Sequence, residues 1–255
     1  MTTLSVCIVT KNEEHNIEKT LQAISFVDEI IIVDSYSSDR TIEICKKYTN
    51  HIYLNVWQGC GIQKKFVLEK ASCEWVLILD ADEILSTELQ KEIQNVIKNP
   101  TEYSGFYIPY QSFYLGKAIK FGDWYNESHL RLFKRIKGEI IPNFAHFGLK
   151  VDGKLTYLSN KILHYPFPTI ETVLNKLNNY STLGAKDLLK RGAKSNIVIA
   201  ILHGLFTFFR GYIFRLGLLD GKYGLILAIS NAQGTYYKYI KLMLLLSPNI
   251  DQQQS

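Results

Sequence analysis

The hydrophobic positions of this chain fall into two regimes. Up to about residue 160 they form short apolar runs that break off into polar clusters, and beyond it they form longer helical stretches. The runs LSVCIVT at 4–10, EIIIVD at 29–34, a shorter one at 51–55 and WVLILD at 75–80 are apolar on both faces, the pattern of strands buried in a parallel sheet. Helical periodicity predicts segments between them over 12–23, 40–48 and 62–71, with Asn12 as N-cap of the first. Strand and helix alternating in this way imply an α/β fold, a mostly parallel sheet with right-handed crossovers and flanking helices. An amphipathic helix follows over 86–98. Strands or a hairpin are predicted at 105–110 and 112–115, with Pro109 marking an edge, and an alternating strand at 130–134. After Pro166 and Pro168 the pattern becomes helical over 170–191, capped by Thr169 and stopped by Gly192, then over 197–209, with further apolar faces at 223–229 and 236–246. The expected organisation is a sheet domain over 1–165, a helical region over 166–250 and a polar, disordered tail over 251–255.

The chemistry sits where the apolar runs end. Open α/β sheets bind ligands beyond the carboxyl ends of their strands, so Thr10, Asp34 and Asp80 are expected on one rim. Asp80 and Asp82 are hard oxygen donors suited to Mg²⁺ or Mn²⁺ held together with a substrate diphosphate. The plainer reading of the same residues is an acidic helix start. No G-x-G-x-x-G follows the first strand, which argues against a dinucleotide-binding domain. Gln63, Lys64 and Lys65 open a predicted helix, where backbone N–H groups and two ammonium groups attract phosphate.

Composition is ordinary, with 47% hydrophobic and 21% charged residues, but the charge is unevenly placed. Residues 1–160 carry 18 Lys/Arg against 20 Asp/Glu, and residues 161–255 carry 11 against 4. The basic part is also the more apolar one, which points to an anionic membrane surface and away from nucleic acid. The run at 197–209 is short of the roughly 20 residues that span a bilayer. With Arg210, Arg215, Lys222, Lys238 and Lys241 along these segments, helices lying in or half inserted into the membrane face are expected. A helical subdomain packed on protein is the alternative. Cys7, Cys45, Cys60 and Cys73 show no C-x-x-C spacing and suit a reducing compartment. The first residues lead straight into a strand, so the expected location is cytoplasmic, peripheral to the inner face of the membrane.

Four blocks, LSVCIVTKNEEHNI at 4–17, EIIIVDSYSSDRT at 29–41, GIQKKFVLEKASCEWVLILDADE at 61–83 and WYNESHLRLFKR at 124–135, resemble the family 2 glycosyltransferases of GT-A fold. Within that family they are most like the group that adds sugars to the lipopolysaccharide core. The resemblance implies that Thr10, Asn12, Glu13, Asp34 and Asp39 meet the nucleobase and ribose, and that Gln63 and Lys64 lie beside the nucleotide. Lys65 stands where the family has Asn. It implies further that Asp80 contacts the nucleotide and, with Asp82, holds Mg²⁺ or Mn²⁺ on the diphosphate. Glu127 occupies the place of the family's acid before the L-R-L-F strand and is the candidate general base, with Asp123 second; a surface pairing of Glu127 with Arg131 is the plainer reading. His146 lacks the Glu that follows it in related sequences. Tyr107, Tyr110, Tyr114 and Trp124 are read either as a sugar-stacking platform or as core. The implied activity is inverting transfer of a hexose, glucose first, from a UDP-sugar to a lipid-linked saccharide such as lipopolysaccharide core. Two rivals are a Mg²⁺ phosphatase of the haloacid dehalogenase type and a non-catalytic membrane-associated sugar-binding module. The first needs a nucleophilic Asp on the first strand, where this chain has Thr10-Lys11-Asn12.

Overall fold

The computed structural model describes residues 3–99, 101–125, 127–142 and 147–247; His146 and the tail 251–255 lie outside them. The chain folds as two compact units, Met1–Gln111 with Asn126–Tyr165, and Ser112–Tyr125 with Pro166–Ser255.

In the first unit, β1 (Leu4–Thr10), β2 (Glu29–Asp34), β3 (Ile52–Leu54) and β4 (Trp75–Asp80) are the expected parallel strands, in the order β3-β2-β1-β4. Their connecting helices are α1 (Ile17–Gln22), α2 (Thr41–Cys45) and α3 (Cys60–Leu68). All are shorter than the periodicity predicts. Asn12 does not cap α1: it adopts φ 55° in the loop after β1, and Asn16 holds the N-cap position. Gly59, at φ 115°, supplies the turn into α3 that an L-residue rarely makes.

Beyond β4 the sheet turns mixed. A short β5 (Glu83–Leu85) leads into α4 (Thr87–Lys98), whose N-cap Ser86 side chain accepts from Leu89 N–H. The residues from 103 to 114 form one long strand, β6 (Tyr103–Tyr114), where the sequence suggested two pieces. After the two-residue β7 (Lys117–Ala118), β8 (Ser128–Lys134) inserts antiparallel between β4 and β6. A separate hairpin of β9 (Gly138–Pro142) and β10 (Phe147–Val151) follows. Then β11 (Lys154–Tyr157) pairs with β6, and β12 (Ile162–Phe167) pairs antiparallel with β5 so that His164 faces Glu83.

Both faces of the sheet are buried. Leu4, Val6, Ile8, Leu77 and Leu79 pack with α1 and α4 residues on one side, and Cys7, Ile31, Val33, Val76 and Ile78 with Val67 of α3 on the other. That explains the near-continuous apolar runs. The cysteines are unpaired thiols, and burial pushes the Cys45 thiol up to about 12.

The second unit contains α5 (Ile170–Lys190), α6 (Ile197–Phe209) and α7 (Gly221–Leu245). Thr169 and Asn196 cap α5 and α6 through their side chains. A π-helical turn, Arg210–Phe214, continues α6, and a 3₁₀ turn, Gly217–Asp220, precedes α7. The two apolar faces near 223–229 and 236–246 are thus parts of one 25-residue helix. Residues 112–125 belong with these helices. Asp123 takes a bidentate pair from Arg210 (3.0 Å to each oxygen) and a third bond from Arg215 Nη1 (3.1 Å). The Asp220 carboxylate accepts from the Lys120 and Phe121 N–H groups. Charge-assisted bonds between segments about a hundred residues apart leave no local trace in a sequence.

Candidate active site

Register puts the predicted rim together: Thr10 pairs with Asp34 and Val9 with Asp80. The loops after β1 and β2 lock onto each other. Asn12 N–H donates to Ser37 Oγ at 2.8 Å, and Asn12 Oδ1 accepts from Ser38 N–H at 2.8 Å. Glu13 N–H donates to Thr41 Oγ1 and Glu14 N–H to Asp39. Asp34, wholly buried, accepts from Ser37 N–H at 2.7 Å and from Ser37 Oγ. Asn12 and Tyr36 hold positive φ in these loops (55° and 58°). Left-handed backbone at a non-glycine residue costs about 1–3 kcal/mol, which the cross-loop bonds offset. Asn12 and Asp34 thus share Ser37, Glu13 and Asp39 share Thr41, and Thr10 O accepts from Ser35 N–H, so all five residues expected around the nucleobase and ribose lie on one rim. At its edge, Thr10 Oγ1 is buried with no hydrogen-bond partner among the described residues.

On the other side of the rim, Gln63 is fully buried and braces the strand ends. Its amide N–H₂ donates to Ser35 Oγ, Asn55 O and Val56 O, and its oxygen accepts from Asn55 Nδ2. Lys64 is 1% exposed and places Nζ 2.6 Å from Asp80 Oδ1. Lys65, next in the chain, is exposed.

The corner after β4 is fixed from several directions. Ala81 O accepts from Thr20 Oγ1, Asp82 O from Tyr165 N–H, and Glu83 Oε2 accepts from Asp80 N–H. Arg131, brought alongside by β8, bonds Asp80 Oδ2 (3.2 Å), Glu83 Oε1 (2.8 Å) and Tyr110 OH (2.7 Å). Tyr110 OH in turn donates to Glu83 Oε1 at 2.9 Å. Asp82 is 12% exposed, and its Oδ1 lies 3.7 Å from His164 Nε2.

Burial alone would raise the Asp80 carboxyl, but Lys64 first and then Arg131 outweigh it and hold it well below the usual carboxylate range. Glu83 moves the other way: burial pushes it up against Arg131, and the Asp80 charge adds to the rise. Burial also lifts the Tyr110 hydroxyl. Because the folded-state pKa of Asp80 lies below its unfolded value, the stability it contributes is present above about pH 4 and lost as pH falls below that. Asp80→Asn should therefore lower stability at pH 7 yet lose less of it between pH 5 and 2.5 than the wild type. Urea midpoints across that range test this, and parallel acid limbs for the two proteins would remove Asp80 from its assigned role.

Of the two aspartates expected to hold a metal, Asp80 has both oxygens engaged by cations. Asp82 is the one with a second donor type beside it, His164. Among the described residues no group of three His, Cys, Asp or Glu side chains is placed to hold a metal. The Asp82 carboxylate is a hard oxygen donor that fits Mg²⁺ or Mn²⁺, Mg²⁺ completing its shell with phosphate oxygens and water rather than with an all-protein cage.

The other sequence-derived candidates separate. Glu127 is half-buried, and its carbonyl accepts from Tyr110 N–H at 2.9 Å, which ties its backbone to the residue whose hydroxyl joins the acid network. Asp123 lies in the second unit, held by Arg210 and Arg215. The aromatic residues read as a sugar platform each pack on another ring: Tyr107 on Tyr157, Tyr110 against His129, and Tyr114 against Trp124 and Phe167. His164 and Arg131 were missed as site residues. Each lies on a strand far along the chain, and only sheet pairing brings it to the corner.

The family model for "Glycosyl transferase family 2" matches residues 5–149, more than half of the chain. The chain belongs to glycosyl transferase family 2. It is a glycosyltransferase, and the mostly parallel sheet with flanking helices is the GT-A architecture. An uncharacterized glycosyltransferase of Rickettsia typhi is 30% identical over 258 residues, covering 95% of this chain and 87% of that protein. The lipopolysaccharide core biosynthesis glycosyltransferase LpsC of Rhizobium meliloti is 26% identical, over 97% of this chain and 96% of its own. Among solved structures, Staphylococcus aureus TarS 1–349 in complex with UDP-GlcNAc matches at 16% identity with a TM-score of 0.49, covering 95% of this chain and 88% of that one. Family membership decides against both the phosphatase and the non-catalytic module.

Proposed function

We propose that this glycosyltransferase moves a hexose, glucose in the first instance, from a UDP-sugar to a lipid-linked saccharide of the lipopolysaccharide-core kind, with inversion at the anomeric carbon. The observation that carries the donor half is the rim itself. The strand ends and two interlocked loops hold Thr10, Asn12, Glu13, Asp34 and Asp39, and beside them Asp82 and His164 approach each other next to an Asp80 paired with Lys64 and Arg131. Thr10 Oγ1, a buried hydroxyl with no hydrogen-bond partner among the described residues, is suited to a nucleoside polar group. Asp82 and His164 would hold Mg²⁺ or Mn²⁺, which would supply Lewis-acid stabilisation of the charge growing on the leaving diphosphate. Lys64 and Arg131 keep Asp80 ionised and fixed. Glu127 accepts the proton of the attacking acceptor hydroxyl.

The acceptor half rests on similarity to LpsC and on the helices. Residues Ile197–Phe214 form an 18-residue stretch of mean hydropathy 1.8, of which 22% is buried. Its exposed residues include Val198, Leu202, Leu205, Phe206, Phe209 and Phe214. An apolar face on the basic part of the chain suits peripheral attachment to the anionic inner leaflet, where a lipid-linked acceptor is presented.

A thermal-shift panel of nucleotide sugars, each with and without Mn²⁺, tests the donor half, because only a ligand that binds the folded state raises the melting point. The expected result is stabilisation by UDP-glucose that is larger with Mn²⁺ in the wild type and insensitive to Mn²⁺ in Asp82→Asn. Equal shifts with and without the metal in both proteins would refute the metal assignment.

A further inference from the structure

The second unit contains a half-open cavity of about 250 Å³. Its walls come from the end of β6, the loop before β8, and helices α5 and α7: Trp124 stacked on Phe167 (centroids 5.5 Å, 17°), with Leu177, Leu227, Gly234 and Lys238 among the lining residues. Most of its polar wall groups are satisfied internally. Tyr114 OH bonds Ser230 Oγ at 2.8 Å, and Thr235 Oγ1 accepts from Thr207 Oγ1 at 3.3 Å. Lys238 differs. It is half-buried, its stem packs at Gly184, and its ammonium lies 5.3 Å from the Tyr239 ring centroid, but it makes no ion pair among the described residues. Burial, and then the nearby Arg210 charge, lower its pKa, as expected of a cation short of counter-charge.

A half-buried lysine with no ion pair among the described residues, at the wall of an aromatic and aliphatic hollow, matches an amphiphile: hydrocarbon for the hollow and a negative group for the cation. The size agrees. Pockets that enclose a whole drug-sized ligand measure roughly 300–1,000 Å³, so this one holds one segment of a larger molecule. We propose that the cavity binds one alkyl chain of an anionic amphiphile whose phosphate pairs with Lys238. It is a lipid-holding site within the helical unit, separate from the transfer chemistry, and it does not depend on which sugar is moved.

Calorimetric titration of the full chain with octyl phosphate below its micellar concentration tests this, with octanol and inorganic phosphate as separate arms. Octyl phosphate is expected to bind at least about tenfold more tightly than either fragment, since a charge-assisted bond adds to burial of the chain. Lys238→Gln should weaken it about tenfold and leave octanol unchanged. In Gly234→Leu the added side chain occupies the hollow, because a Cβ there meets only Leu177 at 3.6 Å, so binding of both octyl phosphate and octanol should be lost. Octanol binding as tightly as octyl phosphate, or octyl phosphate binding that neither substitution changes, would overturn the proposal. A response to inorganic phosphate equal to that of octyl phosphate would reassign the site to free phosphate and overturn the lipid assignment.

Discussion

Glu127→Gln should lower transfer to acceptor by about 10²–10⁴-fold, the range that a positioned general base contributes, while leaving the UDP-sugar thermal shift intact. The reason is positional. Glu127 lies immediately before β8, the strand that delivers Arg131 to Asp80, and its carbonyl is fixed by Tyr110 N–H. The amide keeps the size of the carboxylate but cannot take the acceptor proton. Hydrolysis and transfer measured side by side separate the two halves of the site: Asp82→Asn should lose both, Glu127→Gln chiefly transfer. Retention of full transfer by Glu127→Gln would move the base elsewhere. Asp123 is the less suitable replacement, because two arginines already occupy its carboxylate.

Arg131→Met should be the most destabilising single change at the site. The guanidinium is 6% exposed and joins Asp80, Glu83 and Tyr110. Its removal strands the buried Glu83 carboxyl, and breaking a buried ion pair from one side costs about 3–5 kcal/mol. For a chain of this size that corresponds to a fall in melting temperature of roughly 6–20 °C. Glu83→Gln added to Arg131→Met should restore much of the loss, because no buried carboxylate is then left facing an apolar side chain. A melting temperature within about 2 °C of wild type for the single variant would show that Arg131 does not hold this corner together.

The parallel core was legible because β1, β2 and β4 are largely buried on both faces and therefore read as unbroken apolar runs; each of the four predicted strands is present, β3 as a short, partly exposed edge. The loops were less so. Asn12-Glu13-Glu14 carries the local signature of a helix start, but its hydrogen bonds go to Ser37, Ser38, Thr41 and Asp39 across the rim, and α1 begins only at Ile17. Long-range bonds of this kind override capping propensity, which is a preference worth only about 1 kcal/mol. Nothing in the residues around Lys64 marks it as buried; its place against Asp80 follows from the packing of α3 on the sheet.

By itself the sequence determined the strand order of chemistry: a Thr, an Asp and an Asp-x-Asp at successive strand ends, together with the family those motifs belong to. The fold decided what each of those acids sits beside, since antiparallel insertion of β8 and β12 brings Arg131 to Asp80 and His164 to Asp82. It also decided that Asp123 serves as a clasp for the C-terminal helices. Strand-end chemistry is written in local order, whereas the pairing of charges depends on contacts between residues tens of positions apart, and such contacts exist only once the sheet has closed.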